Sequence, residues 1–278
     1  VSSCLVGSEM CIRDRVIPAN RSRLRSVNFQ DTQLIGVLAR ADATVSQLSG
    51  LLSGLVERFA LHDAPLYLVG GSVRDALLGR LGNDLDFTTP ARPEVVYSIL
   101  EDWAETVWDT GIDYGTVSAA YKGQQIEITT FRSDSYDGDS RNPEVVYGDT
   151  LEGDLVRRDF KVNAMAIELR PDGTREFHDP MGGLQDLADR VLDTPDAPEI
   201  SFHDDPLRML RAARFAAQLE FDVAKRVRGA MTDMAAEIQR ITVERVQVEL
   251  NKLICGAAPW NGIDLLVDTG IADFILSL

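Results

Sequence analysis

Apolar positions along the chain follow two periods, and the change from one to the other divides it. In LYLVG (66–70), DLDFTT (84–89) and YGTVSAAYKGQQIEITTFR (114–132) they alternate with polar positions or cluster in short runs. That is strand spacing, with Lys122-Gly123 as a hairpin turn. In 44–62, SVRDALLG and PEVVYSILEDWAE they recur at helical spacing instead. DTLEGDLVRRDFKVNAMAIEL reads as a helix and then a strand. Beyond DPMGGLQDL the pattern is almost wholly helical, near 204–219, 224–238, 242–254 and 260–269. The predicted fold class is α+β: a mixed sheet flanked by helices over residues 63–185, then an all-helical domain over 186–278. Residues 16–62 form an N-terminal extension and helix. Residues 1–15 have no periodicity or capping signal, resemble a translated adapter sequence, and are set apart from the fold as an artefact.

Composition narrows the setting. At 278 residues and 45% hydrophobic content, the chain can bury a sizeable core as a soluble globular protein. It shows no apolar run of about 18 residues and no charged leader before an apolar stretch, so no membrane partner is expected. Cys4, Cys11 and Cys255 lack metal-ligand spacing and suit a reducing cytoplasm. A formal charge of −16 excludes a general electrostatic attraction for nucleic acid. Any RNA contact must be local, at Arg157/Arg158 or at Arg208, Arg211 and Arg214, which recur every third residue as a basic stripe on a helix.

The candidate chemistry begins at Gly70-Gly71-Ser72, where a strand hands over to a helix. Glycine lets backbone approach an anion, and the N–H groups at a helix start attract phosphate. Asp84 and Asp86 follow on a strand, where alternation puts both carboxylates on one face and Leu85 and Phe87 on the other. Acids this close stay ionised cheaply only beside a cation, and Mg²⁺ is the expected one. Glu127 lies between Ile126 and Ile128 in IEITTF. It is either a third carboxylate bordering the pair or an exposed strand glutamate. A phosphate-holding turn before a metal-holding Asp-x-Asp points to nucleotidyl transfer.

In LVRRDFKVNAMAI, the arginines suit a triphosphate, and Asp159 suits a ribose hydroxyl, a helix cap or an arginine partner, with Asn163 close by. In DDPLRMLRAARF, Pro206 marks a helix start, with Asp205 and Arg208 three apart on one face. An acceptor beside a donor complements the Watson–Crick edges of cytosine and adenine and leaves groups unpaired against guanine and uracil. The bland alternative is an intrahelical ion pair. His62, His178 and His203 are scattered and read as structural or exposed, while Glu244, Arg245 and Glu249 are candidates to brace the preceding helix.

GGSVRD, DLDF, EITTFR, RRDFKVNAMA, DDPLRMLRAARF and ERVQVELNKL, in this order, resemble the class II CCA-adding tRNA nucleotidyltransferases of the DNA polymerase β-like superfamily, actinobacterial members above all. The resemblance runs from about residue 60 to the C-terminus. It implies a polymerase β-like nucleotidyltransferase head followed by a helical neck. It also implies Mg²⁺ on Asp84 and Asp86, and nucleotide contacts from Gly71, Arg74 and Arg158. Asp205 and Arg208 would be the base template, and Arg211 and Arg214 triphosphate ligands. The implied partners are CTP, ATP and the tRNA 3′ end, with no DNA. Residues 133–147 resemble the loop used in switching from C to A. Two departures stand out: Asp204-Asp205 replaces the usual Glu-Asp, and the chain ends where longer members continue into body and tail, as a truncated chain would. Poly(A) polymerases, CC-adding or A-adding enzymes share these motifs, and an inactive nucleotide- or RNA-binding fragment is the non-enzymatic alternative.

Overall fold

The computed structural model describes residues 10–12, 29–133 and 146–276, which fall into two compact units. The first comprises Val1–Val156 and Asn163–Pro180, the second Arg157–Val162 and Met181–Leu278.

In the first unit, β1 (Met10–Ile12) precedes two helices, α1 (Phe29–Ser46) and α2 (Ser49–Leu61). Then come β2 (Leu66–Val69), α3 (Gly70–Leu77), β3 (Asp84–Thr89), α4 (Pro93–Glu101), β4 (Thr106–Trp108), β5 (Thr116–Tyr121) and β6 (Gln124–Thr130). The short pair β7 (Arg132–Ser133) and β8 (Val146–Tyr147), α5 (Leu151–Val156), β9 (Ala166–Leu169) and β10 (Arg175–His178) complete it. The sheet is mixed and eight-stranded, ordered β1-β10-β9-β2-β3-β6-β5-β4, with β1/β10 and β3/β6 parallel. Its apolar face carries Leu85, Phe87, Ile126 and Ile128, each at most 1% exposed, and helices α3 and α4 pack on these strands. The β5–β6 hairpin turns on Lys122 and Gly123, both at positive φ (48° and 77°), the geometry a two-residue loop needs to match strand twist.

The second unit comprises α6 (Gly183–Asp189), β11 (Val191–Leu192), α7 (Pro198–Asp204), α8 (Leu207–Leu219), β12 (Asp222–Val223), α9 (Lys225–Asp233), α10 (Val243–Ile254), α11 (Pro259–Asp268) and α12 (Ile271–Ile275). It is helical apart from the parallel pair β11/β12. Helix α8 is its axis: Met209, Ala212, Ala213 and Ala217 are fully buried, and α10 and α11 pack against it. The approach of α11 requires Gly262, because a Cβ there would stand 2.4 Å from the Ala213 carbonyl.

Several expectations need correction. The helix expected over 44–62 is two helices that begin earlier, interrupted by a turn at Gln47 and Leu48. Arg157–Val162 sits among the helices of the second unit, so a single boundary near 185 misplaces Arg158 and Asp159. Its anchors are long-range: Asp159 pairs with Arg211 at 2.6 Å, Phe160 meets Phe215 edge-on at 5.8 Å, and Lys161 pairs with Asp193 at 2.7 Å. Met10–Ile12, within the stretch set apart, pairs with Arg175–Phe177 at the sheet edge; the rest of 1–15 lies outside the described residues. So does most of the loop 133–147. Among the described residues no helix is long and apolar enough to cross a membrane.

Candidate active site

Strand alternation and register assemble the acidic half of the site. Asp84 is exposed and Asp86 half-buried on the polar face of β3, and the parallel register sets Asp86 opposite Glu127 and Asp84 opposite Gln125 on β6. Facing residues on paired strands share a side, so Glu127, itself exposed, borders the two aspartates.

Beside them, β2 ends at Val69 and Gly70, at φ 66°, swings the chain into α3. Gly71 keeps the approach open. A Cβ on it would stand 3.4 Å from an Arg74 guanidinium nitrogen and 4.0 Å from Asp86 Oδ2, so its absence leaves a cradle over both groups. Arg74 itself is buried, donating to Asn163 Oδ1 at 2.8 Å and to both carboxylate oxygens of Asp75 at 3.0 and 2.9 Å. Asn163 thus orients Arg74. Ser72 does not offer its hydroxyl outward: it is 3% exposed and bonded to the backbone of Asp84 and Asp86. Hard carboxylate oxygens on one face, under an open glycine, fit a divalent metal ion.

The second unit holds the remaining candidates, and here the sequence reading changes most. Asp205 does not lie on α8; it ends α7 in extended conformation (φ −143°, ψ 98°), and its Oδ1 accepts the Leu207 N–H at 3.1 Å. Rather than pairing with Arg208, its Oδ2 takes Arg245 at 3.0 Å. Arg208 donates to Ser201 Oγ at 2.8 Å and to the Arg157 carbonyl at 2.6 Å. The bland alternative, an intrahelical ion pair, does not form, because Pro206 occupies the cap of α8 and leaves Asp205 outside the helix.

The basic stripe is also not a bare one. Arg211 pairs with Asp159, and the Asp159 and Glu249 charges, against the cost of burial, raise its pKa above the ordinary arginine range. Arg214, 8% exposed, pairs with Glu249 at 2.9 Å and lies over the Phe215 ring at 4.2 Å. Arg158 is half-buried in the same unit.

One constellation was not foreseen. Among the described residues, Glu168, Glu176 and His178 have potential ligand atoms within 4.8 Å of one another. The guanidinium of Arg170 already bonds both glutamates, which raises its pKa, Glu168 foremost, so the acids are matched by a cation of the protein's own. The hairpin turn PDGT, which sets Glu168 opposite Glu176, was the signal in the sequence.

With this geometry in place, the comparisons are consistent. Residues 66–193 match the model described as Poly A polymerase head domain, and residues 220–277 the one described as probable RNA and SrmB-binding site of polymerase A. A CCA-adding enzyme of Levilactobacillus brevis is 44% identical over 206 residues, covering 74% of this chain and 50% of the relative. One of Geobacillus kaustophilus is 38% identical over 226 residues, covering 81% and 54%. The crystal structure of the Bacillus stearothermophilus CCA-adding enzyme in complex with CTP superposes with TM-score 0.70 at 36% identity, over 80% of this chain and 52% of that one. The Thermotoga maritima CCA-adding enzyme complexed with tRNA gives TM-score 0.65 at 28% identity, over 81% and 51%. The chain thus spans about half the length of the relatives it matches.

Proposed function

The chain belongs to the class II CCA-adding nucleotidyltransferase family, and on that premise we propose that it carries the nucleotidyl-transfer centre of an enzyme that adds CCA to the 3′ end of tRNA from CTP and ATP. The observation that carries this reading is the shared face of Asp84, Asp86 and Glu127 beside the cradle over Gly71. The RNA 3′-hydroxyl attacks the α-phosphate, the new phosphodiester forms, and pyrophosphate leaves. Nucleotidyl transfer in general depends on a divalent metal; Mg²⁺, held by Asp84 and Asp86, would lower the pKa of the attacking hydroxyl and offset charge on the pyrophosphate.

The chain's own groups position the reactants. Arg74, fixed by Asn163 and Asp75, presents positive charge near Asp86. The helix-start amides after Gly70 and Gly71 face phosphate. Asp205, fixed by Arg245, and Arg208, fixed by Ser201, read the base as acceptor and donor. Arg158, Arg211 and Arg214 supply positive charge for the triphosphate, with Asp159 orienting Arg211 and Glu249 orienting Arg214. Such preorganisation is the main source of rate in reactions of this kind. The setting proposed is the cytoplasm, where Cys255 remains a thiol.

The test is incubation with tRNA lacking its end and each labelled nucleotide. Addition of CCA supports the proposal. Addition of CC or A alone reassigns it within the family, a long A tail indicates a poly(A) polymerase, and nucleotide binding with no incorporation indicates an inactive fragment.

A further inference from the structure

We infer that Ser72 is a positioning residue whose hydroxyl stands in for a missing strand and so fixes the two metal-holding aspartates. This rests on the nucleotidyl-transfer reading above.

Strand β3 is held on one side along its whole length by β6, from Asp84↔Gln125 to Thr89↔Thr130. On the other side β2 pairs only Tyr67↔Thr88 and Leu68↔Phe87, because Gly70 turns the chain into α3. Backbone groups along a strand alternate in direction, so Asp84 C=O and Asp86 N–H both point toward the edge that β2 has left. Ser72, from the first turn of α3, meets both: its Oγ accepts the Asp86 N–H at 2.9 Å and donates to the Asp84 carbonyl at 3.3 Å. At 3% exposure, the residue leaves little room for water to replace it.

One hydroxyl thereby satisfies backbone groups of the very residues whose side chains face the metal. A strand end with loose main-chain anchoring lets its carboxylates wander, and metal affinity depends on such supporting contacts by typically 10 to 100-fold. The hydroxyl has one proton and gives it to Asp84, so a nucleotide contact from Ser72 is left to its backbone N–H.

The experiment titrates the chain with Mn²⁺, followed by the electron paramagnetic resonance of the free ion, and measures CTP incorporation at several Mn²⁺ concentrations. Ser72→Ala is expected to weaken Mn²⁺ binding about 10-fold or more and to lower kcat. The KM for CTP at saturating metal should stay within about two-fold, and Ser72→Thr, which restores a hydroxyl, should recover much of the binding. A Ser72→Ala variant that binds Mn²⁺ like the parent, or that changes only the KM for CTP, overturns the inference. If Ser72→Ala does not fold, Ser72→Thr against Ser72→Cys decides, with equal Mn²⁺ affinity of the two overturning it. Asp86→Ala separates the two levels: if the parent binds Mn²⁺ no better than Asp86→Ala, it is the nucleotidyl-transfer reading that fails.

Discussion

Strand β3 and helix α8 both carry charges that the proposed function assigns to a nucleotide, yet they are held by different means. The acids of β3 are fixed from the main chain, by the β6 ladder and the Ser72 hydroxyl, which leaves their carboxylates directed to the polar face. The arginines of α8 are fixed through their charges, by Asp159, Glu249, Ser201 and the Arg157 carbonyl. Main-chain anchoring sets where these carboxylates stand without drawing on their charge. Side-chain pairing instead removes much of the desolvation cost of gathering arginines on one helix in a chain of formal charge −16. The acidic site is thus preorganised by geometry and the basic one by electrostatics.

The sharpest way to break this comparison is at β3. Asp86→Ala should lower incorporation by about 10²–10³-fold, judged by typical losses on removing one preorganised charge-stabilising group. Its thermal midpoint should change little, because the side chain is not fully buried. A variant that stays active would end the assignment of β3. On the α8 side the order reverses, with stability lost first. Glu249→Ala leaves Arg214 buried without its carboxylate and should cost about 3–5 kcal/mol in urea unfolding. A loss below about 1 kcal/mol would show that the pair does not hold α8 against α10.

Asp193 tests the electrostatic anchoring by pH. Burial alone would raise its pKa, but Arg226 and Lys161 overcome this and hold it below the ordinary carboxylate range. Since the folded pKa lies below the unfolded one, the stabilisation is complete above an unfolded value of about 3.9 and is lost as pH falls through the folded value. Unfolding free energies measured from pH 6 down to pH 2 should therefore fall less steeply for Asp193→Asn than for the parent. Equal slopes would refute the anchoring. The smallest effect is expected at Arg245→Ala. Its ion pair with Asp205 joins side chains 51% and 32% exposed, worth about 0–1 kcal/mol of stability. Yet Asp205 loses a partner that orients it, so the preference for CTP over UTP should narrow in competition assays. An unchanged preference would remove Arg245 from base selection.

How far this was legible varies by element. The β5–β6 hairpin could be read from Lys122-Gly123, because its turn geometry is set by the two residues themselves. The shared face of Asp84 and Asp86 could be read because period two is a property of any strand. Asp205 was misplaced because helical spacing does not reveal whether the residue before a proline has already left the helix. Ser72 was given to the nucleotide for its place at a helix start, and that its hydroxyl holds the backbone of β3 depends on where that strand lies.

What the chain determines by itself is local: where strands and helices run, which residues of DLDFTT share a face, and, through ordered motifs, the family. What tertiary structure alone decided is the partner of each charge: Glu249 for Arg214, Asp159 for Arg211, Arg245 for Asp205, and the strand backbone for Ser72. The reason is physical. Periodicity comes from the covalent geometry of consecutive residues, whereas an ion pair or buried hydrogen bond depends on which distant segment packing brings within about 3 Å.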